Sequence, residues 1–396
     1  MAEIKRFFDC FVPVSSCNLR CNYCYVAQHP LREEKNRFLY TAEEIGSALA
    51  RKRFGGICCF NLCGSGETLY PSATIAIVRS ILQEGHFVNI ITNGTMTGRL
   101  REFLTFPEAW KQHLFIKFSY HYLELRDRHL TEIFFRNFNL LRENGISVSL
   151  EITADDNYVP HIPAIQQEAL EHAGALPHVS IPRIETKKIP LASKYSLQEL
   201  ENQWSSFQSA MFTFKKSTWG RREKEFCYAG EWSGILNLGT GDLFACYGQP
   251  LLQNIFADPE EEIRFRAVGH HCAMPHCYNS HAFLTFGVIP NQTHLTYADM
   301  RNRKTTNGEW LGPEMKQFFS SKLQNSNPLF PFWRKFWCDL NGAWNRMDSE
   351  ILRKLRNLIF LIRKKDWKGI KQRLQQSLSF GKTHTLFGKE HNNHGL

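Results

Sequence analysis

Short apolar segments alternate with helical patterns over the first 212 residues of this 396-residue chain, and this alternation constrains the fold more than any other feature. Six segments are rich in β-branched and aromatic residues and end in turn residues, as strands do. They are Phe7–Val14, Ile57–Leu62, Phe87–Ile91, Leu114–Tyr120, Ile146–Thr153 and Val179–Ile184. Six β/α units in series favour a parallel sheet with right-handed crossovers, two units short of a closed eight-stranded barrel.

Helix signals lie between the predicted strands. Thr41-Ala42-Glu43-Glu44 is a capping box, which marks the start of a helix. A second helix is predicted over Ala73–Glu84, where Gly85 ends it, and a third near 129–143, where Asn144-Gly145 is a good C-terminal cap.

The pattern changes near Lys215. Residues 216–290 are rich in glycine and aromatic residues and hold four cysteines, whereas the sequence from Tyr297 onward is helical in character. Packing anchors of this helical part are expected at Trp310, Phe318, Trp333, Trp337 and Trp344. We predict a core barrel over 1–215, a small cysteine-rich domain over 216–290, a helical region over 291–380 and a disordered tail over 381–396.

The formal net charge of +10 is concentrated at the C-terminus. The segment 351–396 holds eleven of the 48 Lys and Arg residues but only two of the 38 Asp and Glu residues, so the first 350 residues are nearly neutral. No nucleic-acid partner is expected from this distribution, and the charge implies no polyanionic substrate.

Apolar residues recur at helical spacing over 351–362, and Lys and Arg fill many of the other positions of 351–365. This pattern fits an interfacial helix on an anionic membrane, or a docking site for an acidic partner. It also fits an amphipathic helix that packs on the protein and exposes a basic face, which is the more common arrangement and the one we favour.

The cysteines and the absence of targeting segments indicate the compartment. The N-terminus has no apolar signal core, and no stretch approaches the ~20 apolar residues of a membrane span. Three of the 12 cysteines lie within eight residues, which is unlike a disulfide scaffold. We therefore expect a cytoplasmic protein in which clustered thiols bind metal or take part in chemistry.

Cys17, Cys21 and Cys24 follow the first predicted strand directly. Three thiolates on one short loop can each hold one iron of a cubane cluster, and the absence of a fourth leaves one iron open to a ligand. This C-x3-C-x2-C spacing, with the aromatic Tyr23 before the third cysteine, resembles the radical S-adenosylmethionine (radical SAM) superfamily. A zinc site or coincidence is the alternative.

A second motif follows the second predicted strand, Gly64-Ser65-Gly66-Glu67-Thr68. In radical SAM proteins a glycine-rich turn ending in Glu-Pro lies here and binds the amino group of the cofactor's methionine. Glycines let the backbone approach a ligand, and a carboxylate accepts charge-assisted hydrogen bonds from an ammonium. Ser65 and Thr68 depart from the family pattern, whereas Gly66 and Glu67 keep it.

Polar residues also stand in or just after the later predicted strands, where parallel sheets place ligands. The resemblance implies that Ser119 contacts the ribose or carboxylate of the cofactor and that Arg126 pairs with the carboxylate. Further candidates are Thr92 and Asn93 for cofactor binding, and His121 and Glu151 for catalysis. An ordinary role as a turn or surface residue explains four of these candidates equally well, namely Thr92, Asn93, His121 and Arg126. For Glu151 the alternative is a structural ion pair.

A second set of cysteines comprises Cys227, Cys246, Cys272 and Cys277. The spacing from Cys227 through Gly241 to Cys246 resembles the auxiliary-cluster region, called SPASM or in its shortened form Twitch, that follows many radical SAM barrels. A hairpin turning at Gly241 would bring the first two thiolates together. Four cysteines favour one auxiliary [4Fe–4S] cluster over two, and a zinc ribbon is the competing interpretation. Cys10, Cys58, Cys59, Cys63 and Cys338 lack ligand spacing and are expected in packing positions.

The resemblance covers roughly residues 7–212 and implies a partial (β/α)6 barrel that uses a [4Fe–4S] cluster and S-adenosylmethionine (SAM). It implies an enzyme whose 5′-deoxyadenosyl radical abstracts hydrogen from substrate, supplied with electrons by a flavodoxin- or ferredoxin-type reductant. We expect a sugar, cyclitol or glycan-linked substrate that is oxidised or epimerised, since the barrel begins within ten residues and leaves no room for a leader-binding domain. A peptide substrate is the runner-up, and a non-catalytic zinc module with a basic docking tail is the competing class.

Overall fold

The computed structural model describes residues 3–24, 37–186, 188–270 and 272–346, with side chains up to residue 340. The basic segment 351–365 and the predicted tail 381–396 lie outside the described residues. Within the described ranges, no helix has the length and apolar character needed to cross a membrane.

The strands of the described residues are β1 Arg6–Val12, β2 Cys58–Gly64, β3 Phe87–Thr92, β4 Leu114–Ser119, β5 Ser147–Thr153, β6 His178–Ser180, β7 Ser233–Asn237, β8 Asp242–Phe244, β9 Leu251–Asn254, β10 Lys304–Thr305 and β11 Gly308–Glu309. The first nine form one sheet in the order β6-β5-β4-β3-β2-β1-β7-β8-β9, and β10 pairs with β11. Strands β1 to β7 are parallel to one another, whereas β8 pairs antiparallel with β7 and β9 pairs antiparallel with β8.

The helices of the described residues are α1 Ala42–Ala48, α2 Arg51–Phe54, α3 Ala73–Gln83, α4 Thr97–Glu102, α5 Glu108–Gln112, α6 Tyr122–Asp127, α7 Thr131–Glu143, α8 Ile162–Ala173, α9 Leu197–Trp204, α10 Ala210–Thr218, α11 Ser280–Phe283, α12 Tyr297–Arg301, α13 Pro313–Ser320 and α14 Phe332–Arg346. The predicted capping box opens α1, where the Thr41 hydroxyl accepts from the Glu44 amide. Helix α7 ends at Asn144 and Gly145, the latter with φ +78°, as predicted.

The predicted fold class is confirmed as an α/β chain with the parallel sheet of a partial barrel and a helical C-terminal region. Strands β1 to β5 are buried along nearly their whole length, as parallel strands covered on both faces are. Strand β6 ends at Ser180, four residues before the predicted end, and Pro182, which has no amide hydrogen to donate to a ladder, follows it.

Strand β7 is an element that the sequence analysis missed. It pairs with β1 in parallel, from Phe7↔Ser233 to Phe11↔Asn237, so part of the predicted segment 216–290 extends the barrel sheet. The chain divides into two compact units with a boundary between Asp339 and Leu340, and the residues up to Asp339 form the first unit. The domain boundaries at 215, 290 and 380 stay predictions.

The predicted packing anchors divide into two groups. Trp310 and Phe318 are buried, with 1% and 9% of their surfaces exposed. Trp333 and Trp337 on α14 are 70% and 58% exposed, so the prediction that they are packing anchors was wrong for these two residues. Their spacing of four places them on one face of the helix, and this face is on the surface. The side chain of Trp344 lies outside the described ones.

Candidate active site

The first cysteine set lies in the loop that follows β1. The Cys24 amide donates to the Cys21 carbonyl at 3.1 Å, which folds the segment between them into a tight turn. Burial raises the pKa of the Cys21 thiol, and the charges of Glu124, Cys24 and Cys17 raise it further, because the three thiols lie near one another. Among the described residues, no group of three His, Cys, Asp or Glu side chains stands in the geometry of a single-ion site.

The glycine-rich turn packs directly against this cysteine loop. A Cβ atom on Gly66 would lie 2.1 Å from the Ser16 carbonyl oxygen, so no side chain fits there. The Glu67 amide donates to the same carbonyl at 2.9 Å. Gly66 is therefore required by the approach of two protein backbones, whereas the sequence analysis explained it by the approach of a ligand.

The two departures from the family pattern lie in the same turn. The Thr68 hydroxyl accepts a hydrogen bond from the Gly64 amide at 3.2 Å, so this side chain closes the turn. Ser65 is half-buried in the turn between them. Threonine in place of the usual proline is therefore compatible with an ordered turn.

Glu67 joins the turn to the end of β3. Its carboxylate accepts from the Thr92 hydroxyl at 2.6 Å, the Asn93 amide at 2.7 Å and the Leu69 amide at 3.1 Å, and only 2% of the residue is exposed. Burial raises the pKa of Glu67, although these donors oppose the shift. The Asn93 side chain also donates to Cys17 Sγ at 3.7 Å. Hydrogen bonds therefore connect four predicted site residues, Cys17, Glu67, Thr92 and Asn93. The prediction that Glu67 binds the amino group of the cofactor stays a prediction.

Tyr23 connects the cysteine loop to the end of β4. Its hydroxyl is 2.6 Å from His121 Nδ1 and accepts a hydrogen bond from the Tyr158 hydroxyl at 3.2 Å. Burial and the charge of Lys117 lower the pKa of His121 to about 4, so the ring is neutral at pH 7. Tyr158 was missed by the sequence analysis, because an aromatic residue in a loop has no distinguishing spacing.

A cavity of about 250 Å³ lies at the C-terminal ends of the strands. Five of the predicted site residues line it, namely Tyr23, Cys24, Ser119, His121 and Glu151. Cys63, which was expected in a packing position, also lines the cavity, whereas Cys10, Cys58 and Cys59 are buried as expected. The cavity therefore begins at the cysteine loop and extends across the barrel strands.

Glu151 is held by two basic side chains. Its carboxylate lies 3.1 Å from Lys117 Nζ and 2.5 Å from an Arg301 guanidinium nitrogen. Burial alone would raise the pKa of Glu151, but the charges of Lys117 and Arg301 hold it well below the ordinary range. The structural ion pair considered in the sequence analysis is therefore present, and Glu151 is ionised at neutral pH.

Arg126 stands apart from the other predicted site residues. It is exposed on α6, where its guanidinium donates to the Tyr122 hydroxyl at 2.5 Å. It is not among the residues that line the cavity. Its predicted pairing with a cofactor carboxylate has no contact to support it.

The second cysteine set gathers around the β7–β8 hairpin. Strands β7 and β8 pair antiparallel, and Gly241 lies in their turn with φ +84°, as the predicted hairpin requires. Burial raises the pKa of the Cys277 thiol, and the charges of Cys246, Cys227 and Cys272 raise it further. All four predicted thiols of this set therefore lie within electrostatic reach of one another.

The residues next to two of these cysteines reach the cavity. Tyr247 follows Cys246, Tyr278 follows Cys277, and both tyrosines line the cavity with their ring centroids 4.2 Å apart. The sequence analysis did not select them. Their positions directly after cysteines were the signal that could have indicated a role.

Asp9 ties β1 to the cysteine-rich segment. Its carboxylate accepts from the Tyr247 hydroxyl and the Asn279 side chain, each at 2.7 Å, and from Asn61 on β2. Asp9 is 5% exposed and lines the cavity. An acid within an otherwise apolar strand was the signal that the sequence analysis missed.

The comparison with protein families agrees with this arrangement. Residues 11–159 match the family described as the Radical SAM superfamily, and this range holds both the cysteine loop and the Glu67 turn. Residues 11–159 are therefore a radical SAM domain. No curated protein matches the sequence.

Solved structures resemble this chain weakly. They include Streptococcus suis SuiB bound to S-adenosylmethionine (14% identity, TM-score 0.44, 65% of this chain and 64% of that chain). They also include anSMEcpe with bound AdoMet (15% identity, TM-score 0.45, 65% of this chain and 80% of that chain). A third is BtrN in complex with AdoMet and 2-DOIA (14% identity, TM-score 0.30, 65% of this chain and 81% of that chain). The alignment spans less than two thirds of SuiB.

Proposed function

We propose that this radical SAM protein binds a [4Fe–4S] cluster through Cys17, Cys21 and Cys24, and that SAM occupies the adjacent end of the cavity. When bound, the cluster and SAM supply a 5′-deoxyadenosyl radical that abstracts a hydrogen atom from the substrate. The observation that carries the proposal is the cavity itself, which extends from Tyr23 and Cys24 to the residues that follow the second cysteine set.

The protein side chains would position the reactants and exclude water. Glu67, Thr92 and Asn93 join the cysteine loop to β3, so they hold the SAM end of the cavity in place. The hydrogen bond between Tyr23 and the neutral His121 fixes both rings at the cavity wall. Ser119 lines the same wall and is available to bind the cofactor.

We further propose that Cys227, Cys246, Cys272 and Cys277 bind one auxiliary [4Fe–4S] cluster. The mutual electrostatic influence of the four thiols and the predicted hairpin at Gly241 support this proposal. Oxidation of a substrate releases an electron, and Tyr247 and Tyr278 extend from this cysteine set into the cavity. A zinc site is the competing occupant.

Metal analysis of protein purified under anaerobic conditions tests both cysteine sets. Two [4Fe–4S] clusters predict about eight irons per chain and brown colour, and one cluster predicts about four. Replacing the four cysteines of the second set with alanine should remove about half of the iron. Zinc in place of iron in the wild-type protein would contradict the radical SAM assignment of the sites and favour a non-catalytic metal module.

The substrate that we propose is a sugar, a cyclitol or a glycan-linked molecule that is oxidised or epimerised. The polar and charged side chains that line the cavity, among them Asp9, Lys117 and Arg301, suit a polar substrate of this kind. A peptide side chain is the second candidate.

The remaining partners follow from the cofactor and the cysteines. We propose a flavodoxin- or ferredoxin-type protein as the one-electron reductant. No disulfide joins any of the twelve cysteines, and clustered metal-binding thiols are typical of a reducing compartment, so we propose the cytoplasm.

We also propose that α14 contacts an anionic membrane. Phe332, Trp333, Phe336 and Trp337 are between 48% and 71% exposed, Arg334 and Lys335 lie between them, and the basic segment follows in the sequence. Exposed aromatic residues next to basic ones are typical of helices at the membrane interface. The packed arrangement preferred in the sequence analysis concerns the segment 351–365, which lies outside the described residues, so it stays a prediction.

Sedimentation with lipid vesicles checks this contact. The wild-type chain should pellet with phosphatidylglycerol vesicles and not with phosphatidylcholine vesicles. The double substitution Trp333→Ala and Trp337→Ala should weaken binding by roughly tenfold or more, because two large apolar side chains leave the interface. Leu170→Ala on α8, which is 53% exposed, is the control and should bind as the wild type does. Equal pelleting of the double variant would contradict the proposal.

A further inference from the structure

More basic than acidic side chains line the cavity, and the net charge of the whole chain does not indicate this local excess. Four basic side chains line it against the two acidic ones, Asp9 and Glu151. The basic residues are Lys117, Arg183, Lys215 and Arg301. Because Lys117, Lys215 and Arg301 are buried, their charges interact more strongly than charges on the surface do.

Both acidic side chains already have partners within the protein. Glu151 pairs with Lys117 and Arg301, and Asp9 accepts from neutral donors. Arg183 has an ion pair of its own with Glu185, at 2.8 Å. Among the described ion pairs, none includes Lys215.

Lys215 has a single hydrogen-bond partner among the described residues, the Ser180 hydroxyl at 2.8 Å from its Nζ. The residue is 6% exposed and lines the cavity, and the remaining donors of the ammonium have no acceptor among the described residues. Burial, and next the charge of Arg183, lower the pKa of Lys215 to about 7, although the charge of Glu151 opposes the shift. A buried ammonium without a counter-ion is costly, and a bound anion would offset that cost.

His281 provides a second orphaned group in the same cavity. Its Nδ1 atom is buried and has no hydrogen-bond partner, and 8% of the residue is exposed. The charge of Lys215 contributes, after burial, to lowering the pKa of His281, which places the two side chains near each other. Both groups lack a partner that a ligand in the cavity would supply.

We infer that Lys215, Ser180 and His281, with Arg183 beside them, bind an oxyanion group of the substrate, a carboxylate or a phosphate. This inference rests on the proposed function, because it assigns SAM to the cysteine end of the cavity and the substrate to the Lys215 end. It narrows the substrate class to acids and phosphate esters, such as a uronic acid, a sugar phosphate or an acidic peptide residue. A neutral sugar would leave the ammonium without a counter-ion.

Anion titration of the full-length, cluster-reconstituted protein tests the inference. Acetate and inorganic phosphate are titrated separately at constant ionic strength made up with chloride, and the shift in melting temperature gives each Kd. We expect saturable binding of at least one of them, and the preferred anion distinguishes carboxylate from phosphate. The absence of saturable binding of both anions would overturn the inference.

Two lysine variants locate the site. Lys215→Met should weaken anion binding by roughly tenfold to a hundredfold, because a charge-assisted hydrogen bond is lost. Lys216→Met is the matched control, since the neighbouring Lys216 pairs with Glu201 outside the cavity, and it should bind as the wild type does. Equal binding by Lys215→Met and wild type would overturn the inference. Ser180→Ala, expected to weaken binding by a few-fold, serves if Lys215→Met fails to fold.

A saturating amount of SAM distinguishes the substrate from the cofactor. Anion binding that persists in the presence of SAM supports a substrate subsite, whereas its loss would assign these residues to the cofactor and overturn the inference. Formation of 5′-deoxyadenosine by the wild-type protein is measured in parallel. If it is absent, the proposed function fails, and the anion titration still decides the inference about the site.

Discussion

Replacing Cys17, Cys21 and Cys24 together with alanine is expected to abolish reductive formation of 5′-deoxyadenosine. Without these thiolates the protein has no ligands for the cluster that reduces SAM. The rate measured with dithionite or reduced flavodoxin should fall to the reagent background, at least about a thousandfold. The auxiliary cluster should remain detectable by iron content and absorbance, because its four proposed ligands are untouched.

Cys338→Ala is the matched control for this variant. Cys338 is a half-buried thiol on α14 that belongs to neither cysteine set, so its removal should leave cleavage of SAM unchanged. Far-ultraviolet circular dichroism checks that the triple variant keeps its helices and strands. Cleavage of SAM that persists in a folded triple variant would refute the assignment of these cysteines.

Glu151→Gln is expected to destabilise the protein by about 3–5 kcal/mol at pH 7. The substitution leaves Lys117 and Arg301 buried with no counter-charge, since their side chains are only 10% and 3% exposed. The free energy of unfolding in urea, measured at constant cluster content, gives the loss. Glu309→Gln is the control, because the ion pair between Glu309 and Lys316 is more exposed and its loss should cost less than about 1 kcal/mol.

The difference in free energy of unfolding between the wild type and Glu151→Gln should depend on pH in a definite direction. The folded-state pKa of Glu151 is held well below its ordinary range, so its stabilisation is fully present above the unfolded-state value of about 4.3. It is lost as the pH falls through the folded-state value, where the carboxylate becomes protonated. The difference between wild type and Glu151→Gln should therefore be constant near neutral pH and narrow in acid. A difference below about 1 kcal/mol at pH 7 would show that the two basic residues find other partners.

Much of the barrel could be predicted from the sequence because its signals are local. The Thr41 capping box and the Asn144-Gly145 stop depend on residues within one turn of a helix, and both are present. The first five strands were predicted to within two residues at each end, because buried parallel strands are continuous apolar runs. Strand β7 was missed because its five residues, Ser233–Asn237, alternate weakly and are selected by pairing with β1.

The candidate site was predicted in part for the same reason. Cysteine spacing and the Gly66-Glu67 pair are local features, and the range that holds them matches the superfamily. Spacing carried no information on Asp9, Tyr158 or Lys215, because each acquires its role from a residue more than 30 positions away.

The sequence by itself determined the series of β/α units, the radical SAM match of residues 11–159 and the first cysteine set, since each depends on residues close together in the chain. Only the tertiary structure decided the character of the cavity. The chain is nearly neutral over its first 350 residues, yet folding brings four basic side chains to one cavity and supplies partners to the two acidic ones. Charge summed along a chain does not report where charges meet, and the electrostatics of a site depend on that distance and on burial.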